Sequence, residues 1–430
     1  MKSGKQLIFN ILWPLVCTYL VIISHLLYPV SSTQSFFGGE YYIGFYALYC
    51  LITYFLCRDW TDLPSLSRWS FLIGFFVLLF GHPLFENDHF RYLWEGKVIW
   101  SGQNPYRFAP NSEVLQAIVF EQRNRIGFDY LTTIYPPLTL LWFGLGSFLK
   151  FKYSLIFFMI LNMVLMVKLF EIVRFRAKAL HIILLMPLFI KEYVQAIHID
   201  LLSFLFFIHS ILYFQNRVKN IYLSFSTKYL GVIALFYYSL KELKQIKLKK
   251  ILTILLLFST VPLSMYFATN GFKYIEGASA FSRTWVWSPG FYSLLVNAFD
   301  ISGELSRLIC FLIFLCISIL LALKLFKKQK SLEVEDGLKF YFYLFSSMMF
   351  FSPVYNGWYI IWYVIPALLL RRNDGVLYGV LSVLCYTYYW DSEYLLISHF
   401  LIHLPYLWIF KNGVADYLAE EQLAPPKTQN

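Results

Sequence analysis

Long apolar runs alternate with short basic punctuation along this chain. Stretches such as Leu7–Val30, Tyr153–Val173, Ile251–Ala268 and Leu308–Leu325 are about 18 residues or longer, enough for a helix to cross a hydrocarbon core of about 30 Å. The pattern predicts spans over 7–30, 41–57, 69–85, 153–174, 179–196, 199–215, 250–268, 303–326, 339–353, 357–370, 376–390 and 394–410. Two segments break the rule. Segment 135–149 follows "TIYPPL", a helix start with Pro in its first turn, and reads as a helix dipping into the outer leaflet. Segment 221–240 is interrupted by "SFSTK" and reads as a broken re-entrant pair.

Composition agrees. The 430 residues are 59% hydrophobic and 14% charged, where a soluble domain carries about 25% charged residues. The expectation is an all-α polytopic membrane protein of about 12–13 transmembrane helices. Residues 1–411 form one integral domain without internal repeats, and 412–430 form a polar cytoplasmic tail, expected to be disordered. Lys2 and Lys5 precede a run too long for a signal peptide, so an uncleaved first span is expected.

The net charge of +11 does not point to nucleic acid. Its bases sit in short clusters, Arg174/Arg176/Lys178, Arg217/Lys219, Lys241 to Lys250, Lys324 to Lys330 and Arg371/Arg372, which mark the cytoplasmic side of a membrane. That orientation leaves two loops outside, about 86–152 and 269–302. The six cysteines lie in or beside apolar segments without disulfide or zinc spacing. No cofactor or metal is expected; His399 and His403 stand four apart, but no third ligand is near in sequence.

The unusual polar residues gather on the outer side. In "FENDHFRYLWEGKVIW", Asp88, Arg91, Tyr92 and Glu95 fall at i, i+3, i+4 and i+7, one face of a helix on which Arg91 can pair with either carboxylate. The same spacing suits an interfacial helix with routine ion pairs. "IKEYVQAIHIDLL" brings Lys191, Glu192, His198 and Asp200 to a turn between spans, where ionisable groups are rare and default to function. A turn histidine with a capping aspartate is the plain alternative. Lys228 in "FSTKYLG" reads as snorkelling to the inner surface. "AFSRTWVWSPG" sets Arg283 beside Trp285 and Trp287, and "FSPVYNGWYIIWY" carries Tyr355 and Trp358; either stretch also suits an interfacial aromatic belt. No glycine-rich phosphate loop opens a helix.

The strings Asp88-x-x-Arg91-Tyr92-Leu93-Trp94-Glu95-Gly96, Gly102-x-Asn104-Pro105-Tyr106 and Thr133-Ile134-Tyr135-Pro136-Pro137-Leu138 resemble the bacterial GT-C membrane mannosyltransferases. Within them, the chain resembles the polyprenyl-phosphate-mannose-dependent enzymes that include phosphatidylinositol mannoside mannosyltransferases. "AIHIDLL" is similar to the family's "GHxD" turn, and "SPVYNGWYIIWYVIP" to its aromatic span. Asn87, Glu95, Ala196-Ile197 and Gly357 depart from the family pattern.

The resemblance implies a GT-C fold and an inverting glycosyl transfer at the outer face of the cell (inner) membrane. The donor would be a polyprenyl-phosphate sugar, with mannose favoured, and the acceptor a glycolipid or glycan. It implies catalytic Asp88, Arg91 and Glu95, with Asp88 as general base. Donor-phosphate contacts fall to Arg283, Lys191, Arg107 and Tyr135, and other substrate contacts to Tyr106, His198, Asp200, Trp285, Tyr355 and Trp358. A transporter or flippase of a lipid-linked sugar is the alternative, and a non-catalytic envelope scaffold a third.

Overall fold

The computed structural model describes residues 2–27, 67–173, 186–213, 216–242, 248–272, 274–327, 333–389 and 392–422. The expected span at 41–57 lies outside them. The described chain is helical throughout, with a single isolated β-bridge between Trp287 and Val354 among the described residues.

Helix α1 (Lys2–Leu27) packs against α2 (Arg68–Leu78), where Trp13 sits against Phe71 and Phe75. Ser67 caps α2 by accepting from the Ser70 amide at 3.1 Å. Beyond Leu78 the chain runs irregularly to α3 (Asp88–Trp100), and after a long loop comes α4 (Pro137–Ser147). At about 1.5 Å per residue α4 is about 16 Å long, too short to cross a bilayer. It lies on α3 instead. A Cβ on Gly96 would stand 2.4 Å from the Phe143 carbonyl oxygen, so this crossing requires glycine.

Helix α5 (Phe151–Val173) follows, and the chain is described again from Met186. Here a short helix, Pro187–Ile190, widens into the π-turn Lys191–Gln195. Helix α6 (Asp200–Leu212) leaves it at a bend of 107°. Helix α7 (Arg217–Thr227) runs back along α6, tied by reciprocal Ser203 and Ser224 side-chain bonds to each other's carbonyls at 3.0 and 2.8 Å. The chain breaks at Lys228 and descends as α8 (Ile233–Glu242). Tyr237 of α8 donates to the Glu333 carbonyl near the Lys324–Lys330 cluster.

The remaining helices are α9 (Leu248–Thr269), α10 (Tyr274–Thr284), α11 (Phe291–Asn297), α12 (Gly303–Lys327), α13 (Val334–Phe351), α14 (Ile361–Leu369), α15 (Asn373–Leu381) and α16 (Ser392–Gln422). The expected disordered tail differs here: α16 carries its helix on to Gln422.

Among the described residues, four helices are long and apolar enough to cross a membrane, at Gln6–Leu26, Phe151–Val173, Leu252–Thr269 and Gly303–Lys327; the bent pair at 188–212 makes a fifth if it is one span. This list is shorter than the apolar runs suggest. Several runs are interrupted by 3-10 segments, as at Gly357–Tyr359 and Ser382–Tyr389. Only 11% of the apolar stretch of α12 is buried, which in water would be an aggregation hazard and in lipid is the natural exterior. The chain is an all-α polytopic membrane protein.

Candidate active site

Two strained residues shape the centre of the molecule. Phe85 and Ile197 adopt φ of 65° and 54°, a left-handed conformation costly for bulky side chains. Phe85 precedes Glu86 at the entry to α3, and Ile197 precedes His198 in the bend before α6. The two kinks turn Glu86 and His198 toward each other.

A buried network results. Glu86 Oε2 meets His198 Nε2, and Glu86 Oε1 accepts from Lys191 Nζ at 2.5 Å. The Tyr386 hydroxyl is within hydrogen-bond reach of both Glu86 and Glu192, and accepts from Lys191 at 2.7 Å. On the other side of the ring, His198 Nδ1 lies 2.8 Å from the Tyr92 hydroxyl, which is 3.4 Å from Asp88 Oδ2. When His198 carries both protons it donates to Tyr92, whose own proton then faces Asp88. Trp358 stacks on the His198 ring at 4.4 Å, fixing its plane.

The charges divide the carboxylates. Burial raises the Glu86 pKa, but the Lys191 and His198 cations outweigh it and hold Glu86 well below the usual carboxylate range. Asp88 is raised: burial dominates, the Glu86 charge adds to it, and His198 and Arg91 offset only part. Glu95 is raised too, burial outweighing Arg91 and Thr133. Asp88 stands apart from the other carboxylates here, of which Glu192 keeps one oxygen without a hydrogen bond but sealed from solvent. Glu95 binds Arg91 at 2.8 Å and Thr133 at 2.7 Å; Asp200 binds Lys228 through both oxygens at 2.6 Å and Trp362 at 2.9 Å. Asp88, half-buried at the positive end of α3, accepts only the long bond from Tyr92 among the described residues.

The residues singled out from sequence divide accordingly. Asp88, Lys191, His198, Asp200 and Trp358 come together around the network; Trp285 is 6.5 Å from Trp358, ring to ring. Arg91 pairs with Glu95, not Asp88, and also donates to the Phe128 and Leu131 carbonyls at 2.9 and 2.7 Å, fastening the outer loop to α3. Tyr135 packs edge-on against Tyr92, and Tyr106 donates to the Tyr135 carbonyl at 2.7 Å. Arg107 is spent on the Ala268 carbonyl and Asn270 at the end of α9. Arg283 is exposed on α10 beside a shallow depression lined by Phe272, Ile275 and Glu276. Tyr355 is buried in a separate cluster with Tyr363, Ser382 and Tyr378. Lys228 corrects the sequence reading. It does not reach for the inner surface but turns inward onto Asp200, because the hairpin of α7 and α8 brings it back to the level of α6.

Glu86 and Tyr386 are the members that sequence reasoning left out. Glu86 had a signal, lying two residues before Asp88 in the same polar stretch. Tyr386 had none. Glu86, Asp88 and His198 each offer a ligand atom within 4.8 Å of the others, a set able to hold a cation once the Lys191 and His198 protons give way.

The centre thus sets an acidic residue with an open edge among cations and aromatics. Residues 61–241 match the family model described as alpha-(1->6)-mannopyranosyltransferase, N-terminal domain (the MptA_B family). The match supports a mannosyl transfer function, and its range contains Glu86, Asp88, Lys191, His198, Asp200 and Lys228. No curated protein and no solved structure matches the chain.

Proposed function

We propose that the protein transfers a mannosyl residue from a polyprenyl-phosphate donor to a glycolipid or glycan acceptor at the outer face of the cell membrane, with Asp88 as general base. The observation that carries this reading is the open edge of Asp88 beside Glu86, Glu95 and Asp200, whose oxygens are held by cations and other donors.

The acceptor hydroxyl gives its proton to an Asp88 oxygen as its own oxygen bonds to the anomeric carbon. The bond from that carbon to the phosphate oxygen breaks, and its electron pair leaves with the polyprenyl phosphate. A raised pKa makes Asp88 a stronger base than an ordinary carboxylate. One displacement inverts the anomeric centre, so an alpha product requires a beta-linked donor. The Glu86–His198–Tyr92 chain positions the base and supplies compensating positive charge.

The reading is tested by incubating purified protein with polyprenyl-phosphate mannose and mannosylated glycolipids, then weighing the products by mass spectrometry. A product heavier by one hexose is expected. Movement of the donor across a vesicle membrane without any such product would point to a transporter instead.

A further inference from the structure

The break between α7 and α8 does more than turn the chain. Thr139 donates to the Thr227 carbonyl, and Gly231 approaches Ser224 so closely that a Cβ would stand 2.3 Å from its hydroxyl. The kink is thus built tightly, and Lys228 is the residue it presents. Irregular backbone at membrane depth persists where it lines a cavity, and a cavity of about 400 Å³ lies here. Leu230, Val232, Ile233, Met348 and Met349 give it apolar walls, and Lys228, Ser352 and Tyr359 also line it.

The Lys228 ammonium is held without being used up. Two of its three protons point at the two oxygens of Asp200, and the Tyr359 ring lies 4.7 Å away. One proton remains for a further acceptor. Tyr359 adjoins Trp358, which stacks on His198, so this cavity backs onto the catalytic network. The other cations suggested for a phosphate are placed less well: Lys191 is enclosed by Glu86, Glu192 and Tyr386, and Arg107 is committed to α9.

Resting on the donor class proposed above, we infer that Lys228 binds the phosphate of the lipid donor, whose prenyl chain lies along the apolar wall of this cavity. A phosphate oxygen takes the third ammonium proton, and the chain leaves between α8 and α13 toward the lipid.

The test is equilibrium binding of a long-chain polyprenyl phosphate, and of the matching polyprenol, to the full-length protein in nanodiscs by native mass spectrometry. Wild type should prefer the phosphate. Lys228→Met should lose about 10- to 100-fold in phosphate affinity, the loss expected for a charge-assisted hydrogen bond, and should no longer discriminate. Lys228→Arg should keep most of the preference. The double variant Lys228→Met/Asp200→Asn, which leaves no unpaired carboxylate, should behave like Lys228→Met if its thermal unfolding is intact. Val232→Trp should weaken both ligands alike by filling the apolar wall. Undiminished phosphate preference in Lys228→Met would place the phosphate elsewhere while the donor reading stands. A wild type that shows no preference would overturn the donor reading and this site with it.

Discussion

Asp88 differs from its neighbours by what it lacks. Glu86, Glu95 and Asp200 each spend oxygens on a cation and a hydroxyl or ring donor, and the unpartnered oxygen of Glu192 is fully buried, whereas half-buried Asp88 keeps an open edge. The consequence is a pH dependence with a defined sign. With Asp88 as the proposed base, activity needs its ionised form, so it should be present above the Asp88 pKa and lost below it. Burial and the Glu86 charge raise that pKa, so the acid limb of kcat/KM should lie above the ordinary aspartate value of about 3.9. A pH–rate profile measures it; a limb at or below that value would mean that another group titrates. At this scale the sequence was partly readable. Helical spacing puts Asp88, Arg91 and Glu95 on one face, because the period of a helix is local information. It does not say that Arg91 chooses Glu95, since that choice depends on carbonyls of Phe128 and Leu131 some forty residues downstream. Tyr386 reaches Glu86 across 300 residues, and no local pattern announces such a contact.

Among the elements, three departures from straight membrane helices build the site: the α3–α4 crossing, the bend before α6 and the hairpin at Lys228. Their existence was legible from Pro136-Pro137, from "QAIHIDLL" and from "SFSTK", which interrupt apolar periodicity. Their direction was not. The placement of Lys228 depends on the Ser203–Ser224 clasp, a contact between helices. Close approach at Gly96 makes a sharp prediction. Gly96→Ala puts a methyl against the Phe143 carbonyl, and overpacking of this kind costs about 1–3 kcal/mol. Thermal unfolding in detergent should show a lowered midpoint. Gly102→Ala, whose Cβ would meet nothing within 4 Å, serves as the comparison, limited to the backbone strain of its φ of 74°. Equal midpoints for Gly96→Ala and wild type would mean that the two helices are not in contact.

For the molecule as a whole, charge and apolarity carry the orientation we propose. The exposed apolar faces of α9 and α12 need lipid, and the basic clusters need one side of it. On the orientation we propose, with those clusters inside, the loop carrying Asp88 faces out, where the proposed lipid-linked donor and surface acceptor would meet. A cysteine placed at the exposed Glu113 should be labelled in intact cells, or in spheroplasts, by a membrane-impermeant reagent, above the background of the native cysteines. Labelling that appears only after the membrane is broken would reverse the orientation.

The central claim is that Asp88 takes the acceptor proton, and turnover of Asp88→Asn measures it most directly. The amide keeps the shape and one acceptor oxygen but cannot accept that proton, so the rate should fall about 100- to 10,000-fold. Binding of the polyprenyl-phosphate donor should survive, because its phosphate contacts lie elsewhere. Glu95→Gln, which removes a charge already paired with Arg91, should retain much more activity. Both variants must match wild type in thermal unfolding for the comparison to count. Near-wild-type turnover in Asp88→Asn, with Glu95→Gln inactive, would contradict the account and move the base to Glu95.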